Sequence, residues 1–201
     1  MNLDLTICRA DEVVGLVNSR ALSGLPYDAV ISLEHPGAER LTAEEGRAPR
    51  LADEIGTFWQ DRQLILTCWD VEHTRFGAPT PTPDIVTDAV AFADKWTPAD
   101  RPLRLLVHCR SGRARSTAVG LGLLLHKNNL TTEQSIAELV KIRDIAAPNI
   151  VIVRHIDDFL KYGGTLTAAV EADTGMTKRR EESERKRKNQ VESGKFRLPN
   201  P

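Results

Sequence analysis

Apolar and polar positions along this chain recur with two periods. Leu3 to Cys8 (LDLTIC) alternates and predicts a strand, followed by a short helix over about Asp11 to Asn18. Tyr27 to Leu33 (YDAVISL) predicts a second strand, stopped by the turn residues Glu34-His35-Pro36-Gly37. Leu64 to Trp69 (LILTCW) predicts a third and Leu103 to His108 (LRLLVH) a fourth. Between the last two, Thr82-Pro83-Asp84 opens a helix with a capping Thr, a Pro suited to the first turn and an acid near the positive end of the dipole. Ile85, Val86, Ala89, Val90, Ala93 and Trp96 then return at helical spacing, so one face of that helix should pack on the sheet.

After the fourth strand, Arg113 to Leu125 is apolar nearly all round, the pattern of a buried central helix. Thr131-Thr132-Glu133-Gln134 offers a capping box for a helix to about Ile145. Ala147-Pro148-Asn149 separates it from a last core helix, which Gly163-Gly164 ends. Strands alternating with helices predict an α/β fold: a central, mainly parallel sheet flanked by helices on both faces. There is no internal repeat.

Length and charge refine this picture. With 201 residues, 41% of them hydrophobic, the chain has enough apolar material for one real core and is not wholly disordered. Its net charge of −1 hides an asymmetry: from Lys178 onward nine Lys/Arg face four Asp/Glu, a net of +5, which leaves −6 for residues 1–177. From Thr174 the sequence KRREESERKRKNQ has nothing apolar to bury. A catalytic domain over 1–170 and a charged tail over 171–201 are therefore expected, the tail being a solvated helix or disordered. Its first reading is a solubilising segment; the alternative is a surface that recruits an acidic partner or a membrane.

Three widely spaced cysteines, Cys8, Cys68 and Cys109, fit neither a zinc knuckle nor a secreted disulfide framework. The acidic start MNLDLTICRADEVV does not read as a signal peptide. The longest apolar stretch, Ala118 to Leu125, is broken by two glycines and falls far short of the roughly 20 residues of a membrane span. A reducing, cytoplasmic setting without a transmembrane segment or nucleic-acid partner is the expectation.

The chemistry gathers in one segment, His108-Cys109-Arg110-Ser111-Gly112-Arg113-Ala114-Arg115-Ser116. A cysteine ends a buried strand, five residues intervene, and an arginine follows where an apolar helix begins. Ligands of open α/β sheets bind at the carboxyl ends of strands, and a loop closing onto a helix N-terminus points its N–H groups inward as an anion cradle. Gly112 permits the backbone angles such a cradle needs. The helix end, the loop amides and Arg115 all favour the thiolate of Cys109, making it a nucleophile. Arg115 presents a planar fork that matches two phosphate oxygens, Ser116 is placed to hydrogen-bond the thiolate, and His108 is expected to orient the loop through bonds to its backbone.

His108-Cys109-x5-Arg115-Ser116 resembles the signature of the cysteine-dependent protein tyrosine phosphatase superfamily. Arg143 to Pro148-Asn149, ahead of an apolar helix, is similar to the R-x-x-x-x-PN pattern of its small dual-specificity branch. In organisation the resemblance spans about residues 1–165, although only the loop is specific. It implies a phosphatase-like fold and a phosphomonoester hydrolase that forms a phosphocysteine and needs no metal or other cofactor. The loop Arg110, Ser111, Gly112, Arg113, Ala114 and Arg115 would hold the phosphate.

Such chemistry needs a proton donor upstream. Asp70 is the first candidate, at the end of the third strand before the polar loop Val71-Glu72-His73-Thr74-Arg75-Phe76-Gly77, which is suited to close over a substrate; the family pattern places its general acid there too. Glu72 and Asp84 are rivals, Asp84 already serving a helix N-terminus. The expected substrate is a phosphorylated protein or small phosphomonoester, phosphotyrosine first. Arg110 and Arg113 keep open an inositol lipid or inositol phosphate, since members acting on phosphoinositides are similar in having basic residues at those positions. A phosphate-binding module without turnover is a third reading. Sulfur transfer is disfavoured by His108 and Ser116.

Overall fold

The computed structural model describes residues 2–41, 47–72 and 78–192. Four strands, β1 (Leu3–Arg9), β2 (Ala29–Glu34), β3 (Gln63–Thr67) and β4 (Leu103–Cys109), form one all-parallel sheet in the order β1-β4-β2-β3. Each lies within one to two residues of its sequence expectation at either end. The α/β class with helices on both faces is as expected.

Alternation along the strands divides two apolar layers. Leu3, Leu5 and Ile7 of β1, Ala29, Ile31 and Leu33 of β2, and Leu103, Leu105, Val107 and Cys109 of β4 face the larger core. Val30, Leu106 and Cys8 face the smaller one, with Val13 and Val17 of α1 (Val13–Leu22) and Leu51 of α2 (Leu51–Ile55). The larger layer is filled by α3 (Asp84–Lys95), α4 (Arg115–Asn128), α5 (Thr132–Ile142), α6 (Ile150–Leu160) and α7 (Thr165–Ala172). All eleven residues from Arg115 to Leu125 of α4 are buried. A Cβ on Gly120 would come within 2.7 Å of Ile7, so the glycine lets α4 lie directly on β1.

This topology places the site. The chain leaves β1 and β2 toward the smaller layer, whereas it leaves the intervening β4 toward the larger one. Neighbouring connections that diverge to opposite faces open a crevice at the carboxyl ends of the strands, with Cys109 in its floor.

Three expectations are corrected. Thr82 makes no side-chain cap; Pro83 is the N-cap, and backbone bonds close the first turn, Ile85 N–H to Thr82 O at 3.3 Å among them. The capping box forms at Thr131 and Gln134, but α5 stops at Ile142 rather than about Ile145, because Arg143 turns extended. The core also continues past Gly163-Gly164: Leu166 and Val170 of α7 and Met176 of α8 (Thr174–Glu192) are fully buried in the larger layer. Their spacing was masked by short length and polar surroundings. The tail is thus helical over Thr174–Glu192, and its first turn is anchored.

Leu166→Ala should cost about 2–5 kcal/mol, the range for emptying a closed apolar site. Denaturant titration checks this, and a change below about 0.5 kcal/mol, as at surface positions, would put α7 outside the folding unit.

Candidate active site

Cys109 ends β4 with 2% of its surface exposed, and its Sγ lies 3.1 Å from Ser116 Oγ in the first turn of α4. Between them runs the loop 110–114, whose five carbonyls all receive a hydrogen bond from outside it or from the helix it opens. Arg110 O accepts from Ala10 N–H at 3.5 Å. Ser111 O and Gly112 O accept from the guanidinium of Arg143 at 3.3 and 3.1 Å. Arg113 O accepts from Ala147 N–H at 2.8 Å and from the Thr117 hydroxyl. Ala114 O accepts from Asn149 N–H at 3.2 Å and Thr117 Oγ1 at 3.0 Å. A trans peptide is planar, with N–H opposite C=O, so carbonyls drawn backward turn the amides of Ser111 through Arg115 toward the concave side.

Gly112 is required twice over. Its φ is +64°, and a Cβ there would stand 2.6 Å from the carbonyl oxygen of Cys8. The loop is therefore seated against the end of β1 as well as β4.

Arg115, 4% exposed, donates from a terminal nitrogen to Cys68 O at 2.8 Å, while its buried Nε has no acceptor among the described residues. Burial works against the Cys109 thiolate. The charge of Arg115, the Ser116 hydroxyl and the Ser116 N–H outweigh it, and Cys109 is held below the ordinary thiol value. At the two other cysteines burial outweighs the lowering by Arg143 and Arg115, pushing Cys8 up to about 12 and Cys68 up to about 11.

Asp70 follows β3, and its Oδ1 accepts from Asn149 Nδ2 at 3.1 Å. Its charge reaches the site, raising Cys109 and favouring the charged form of Arg115. Of its rivals, Glu72 accepts from Ile150 N–H at 3.1 Å at the start of α6 and is pushed up chiefly by burial. Asp84 is exposed at the start of α3. Residues 73–77, most of the loop expected to close, lie outside the described residues.

On the loop, Arg110 and Ser111 are exposed, Arg113 and Ala114 half-buried. The Nε of Arg113 is buried without a partner among the described residues. Beside the site, Trp69 stacks on His35 with centroids 5.5 Å apart, joining the ends of β3 and β2.

His108 departs from expectation. Its ring lies on the opposite face of β4 from Cys109, fully buried, with Nε2 2.7 Å from Ser32 Oγ and Nδ1 without a partner among the described residues, so it makes no bond to the loop backbone. Burial, then Arg115, lower it to about 3, and it is a neutral ring. Ser32 in turn accepts from Gln63 Nε2 at 2.8 Å. The alternation of a strand sends neighbours to opposite faces, and this put His108 out of reach.

The loop is instead held by Arg143 and Asn149, neither of which had an assigned role. The R-x-x-x-x-PN spacing was their signal, but a spacing names no partners.

No family model matches the sequence, and no curated protein matches it. Solved structures do match the fold. The structure of human DUSP28 superposes with TM-score 0.56 at 15% identity, covering 79% of this chain and 94% of that one. The structure of a human tyrosine phosphatase-like serine/threonine/tyrosine-interacting protein gives 0.57 at 14%, covering 79% and 92%. The structure of PTPMT1 in complex with PI(5)P gives 0.53 at 20%, covering 82% and 90%. The fold is that of the small dual-specificity-type phosphatases. No helix among the described residues is long and apolar enough to cross a membrane.

Two measurements check this geometry. Gly112→Ala should destabilise the chain by about 1–3 kcal/mol, the cost of a strained backbone position, and should abolish vanadate binding by the loop; retained vanadate affinity would contradict the close approach to Cys8. Because Cys109 is held low, its thiolate persists as pH falls below the ordinary thiol range. Iodoacetate should therefore label Cys109 before Cys8 and Cys68 near neutral pH, and Ser116→Ala should move the labelling midpoint upward.

Proposed function

We propose that this chain is a cysteine-dependent phosphomonoester hydrolase that acts on phosphotyrosine in proteins through a phosphocysteine intermediate. The observation that carries the reading is the pair formed by Cys109, held toward thiolate, and buried Arg115, whose Nε lacks an acceptor among the described residues. An unmet buried N–H on a cation costs stability unless a ligand supplies the acceptor, and an oxyanion fits that place.

The thiolate of Cys109 attacks phosphorus in line, forming the S–P bond as the bond to the leaving oxygen breaks. Arg115 and the amides of residues 111–115 take the charge on the equatorial oxygens, the work a metal does in other phosphoryl-transfer sites. Asp70 protonates the leaving oxygen. Water then attacks the phosphocysteine and gives a proton to the Asp70 carboxylate; the P–S bond breaks and its electron pair returns to sulfur, where the Ser116 hydroxyl donates to the thiolate. His108 supports the strand end as a neutral buried group rather than taking part in proton transfer.

A second reading is favoured by one observation, the half-buried Arg113 on the same loop, whose Nε has no partner among the described residues, near exposed Arg110. An inositol lipid or inositol phosphate would give these cations a second anionic group, and the PTPMT1 structure of similar fold was solved in complex with PI(5)P. Binding without turnover is disfavoured because the chain carries the nucleophile, the arginine and the hydroxyl that turnover requires.

Cys109→Ser should lower aryl phosphate hydrolysis by about 10⁴-fold or more, the scale for removing a nucleophile, and wild-type turnover in that variant would end the proposal. Arg113→Ala, assayed on phosphotyrosine peptides and inositol lipids in parallel, separates the substrates. A selective loss on lipids supports the second reading, and equal rates on both remove it.

A further inference from the structure

The segment that follows β3 is bonded to the rest of the site at every second residue. Cys68 N–H donates to Glu34 O at 3.0 Å, and Cys68 O accepts from Arg115 at 2.8 Å. Asp70 Oδ1 accepts from Asn149 Nδ2 at 3.1 Å. Glu72 Oε1 accepts from Ile150 N–H at 3.1 Å. Val71, between the two carboxyl residues, is buried.

Glu72 takes the donor that the helix cap leaves over. Asn149 Oδ1 accepts from the N–H groups of Val151 and Ile152, the second and third residues of α6. An N-cap side chain does not serve the first residue, and Ile150 is 4% exposed, so water has little access to its N–H. The same corner holds the nucleophile loop, since Asn149 N–H donates to Ala114 O at 3.2 Å. Two consecutive residues, 149 and 150, thus tie together the loop, Asp70 and Glu72. Glu72 is two residues past Asp70, about 7 Å of chain at most. With residue 68 held by Glu34 and Arg115 and residue 72 held by α6, the backbone that carries Asp70 is fixed on both sides.

We infer that Glu72 is a positioning residue for Asp70: its bond to the first N–H of α6 holds the backbone of residues 70–72 beside the nucleophile loop. This rests on the proposed phosphatase reading, in which Asp70 gives and takes the proton. Glu72 takes part in neither displacement. An accepting oxygen is all the anchor needs, and a carboxyl offers one in either protonation state, as does a glutamine amide. What it contributes to the reaction is placement of the acid before the substrate arrives.

Substitutions separate this role from acid catalysis by Glu72 itself. Glu72→Gln keeps the acceptor and loses the proton, whereas Glu72→Ala loses both. On kcat/KM, which reports the first displacement, Glu72→Ala should lose about tenfold more on phenyl phosphate than on p-nitrophenyl phosphate, because the poor leaving group depends on a well-placed acid. Glu72→Gln should recover most of that loss. In the Asp70→Asn background Glu72→Ala should add no further selectivity, since the two residues act as a unit. Glu72→Asp, one methylene short of Ile150, should show the same selectivity if Glu72→Ala does not fold. Equal losses in Glu72→Gln and Glu72→Ala would mark Glu72 as a proton donor, and equal losses on the two substrates would reduce it to a helix cap; either result overturns the inference. Hydrogen exchange of the backbone amides of residues 68–72 reads the anchor without turnover, and it should quicken in Glu72→Ala but not in Glu72→Gln. If the wild-type chain hydrolyses no aryl phosphate yet exchange responds in this way, the phosphatase reading fails and the anchor stands. If exchange is the same in wild type and every Glu72 variant, the inference is overturned whatever the activity.

Discussion

The structure depends on the outward pull on five carbonyls. Along residues 110–114 each C=O is bonded behind or beneath. Rigid peptide planes convert that pull into inward N–H groups, which are there before any ligand arrives. The donors come from the β1–α1 and α5–α6 connections, both remote in sequence, and from the first turn of α4, which the loop opens. Arg143 serves two carbonyls at once because its guanidinium is a planar fork, and a lysine would serve as a point charge.

Around this loop the same degree of burial has opposite outcomes. All three cysteines are nearly inaccessible, and burial favours the neutral thiol in each. At Cys109 the charge of Arg115, the Ser116 hydroxyl and the Ser116 N–H act together on one sulfur, and of the three it is Cys109 that is lowered. Arg115 pays for its own burial through the Cys68 carbonyl and the nearby charges of Asp70 and Cys109. On the reverse face, the neutral ring of His108 and the Ser32–Gln63 bonds join β4, β2 and β3 by side chains as well as by the backbone ladder. The strand that presents the thiol is thereby fixed from behind.

The start of α6 is the second fixed point. Asn149 and Glu72 satisfy its first N–H groups from two directions, and the Glu72 carboxyl lies at the positive end of the dipole. The charged helix α8 is attached to the same region. Met176 is buried in the core, Arg179 donates to Ala146 O at 2.7 Å, and the charge of Arg180 reaches Glu72. A segment whose composition points only to solvent is tied by its first turns to the connection that holds the loop.

By itself the sequence determined the four strands, the buried central helix, the α/β class, and Cys109, Arg115 and Ser116 at one junction. These follow from local periodicity and from spacing within a single loop, which the chain carries in every conformation. The first turn of α3, the end of α5 and the apolar positions of α7 were less legible, because local signals there compete with packing. Only the tertiary structure decided that His108 faces away from the loop, that Arg143 holds the loop carbonyls, and that Asn149 meets Asp70 across 79 residues of sequence. Hydrogen bonds between remote side chains depend on which elements share a layer and on the direction each residue points. Those are fixed by the sheet order and the burial of both faces, and no window of sequence contains them.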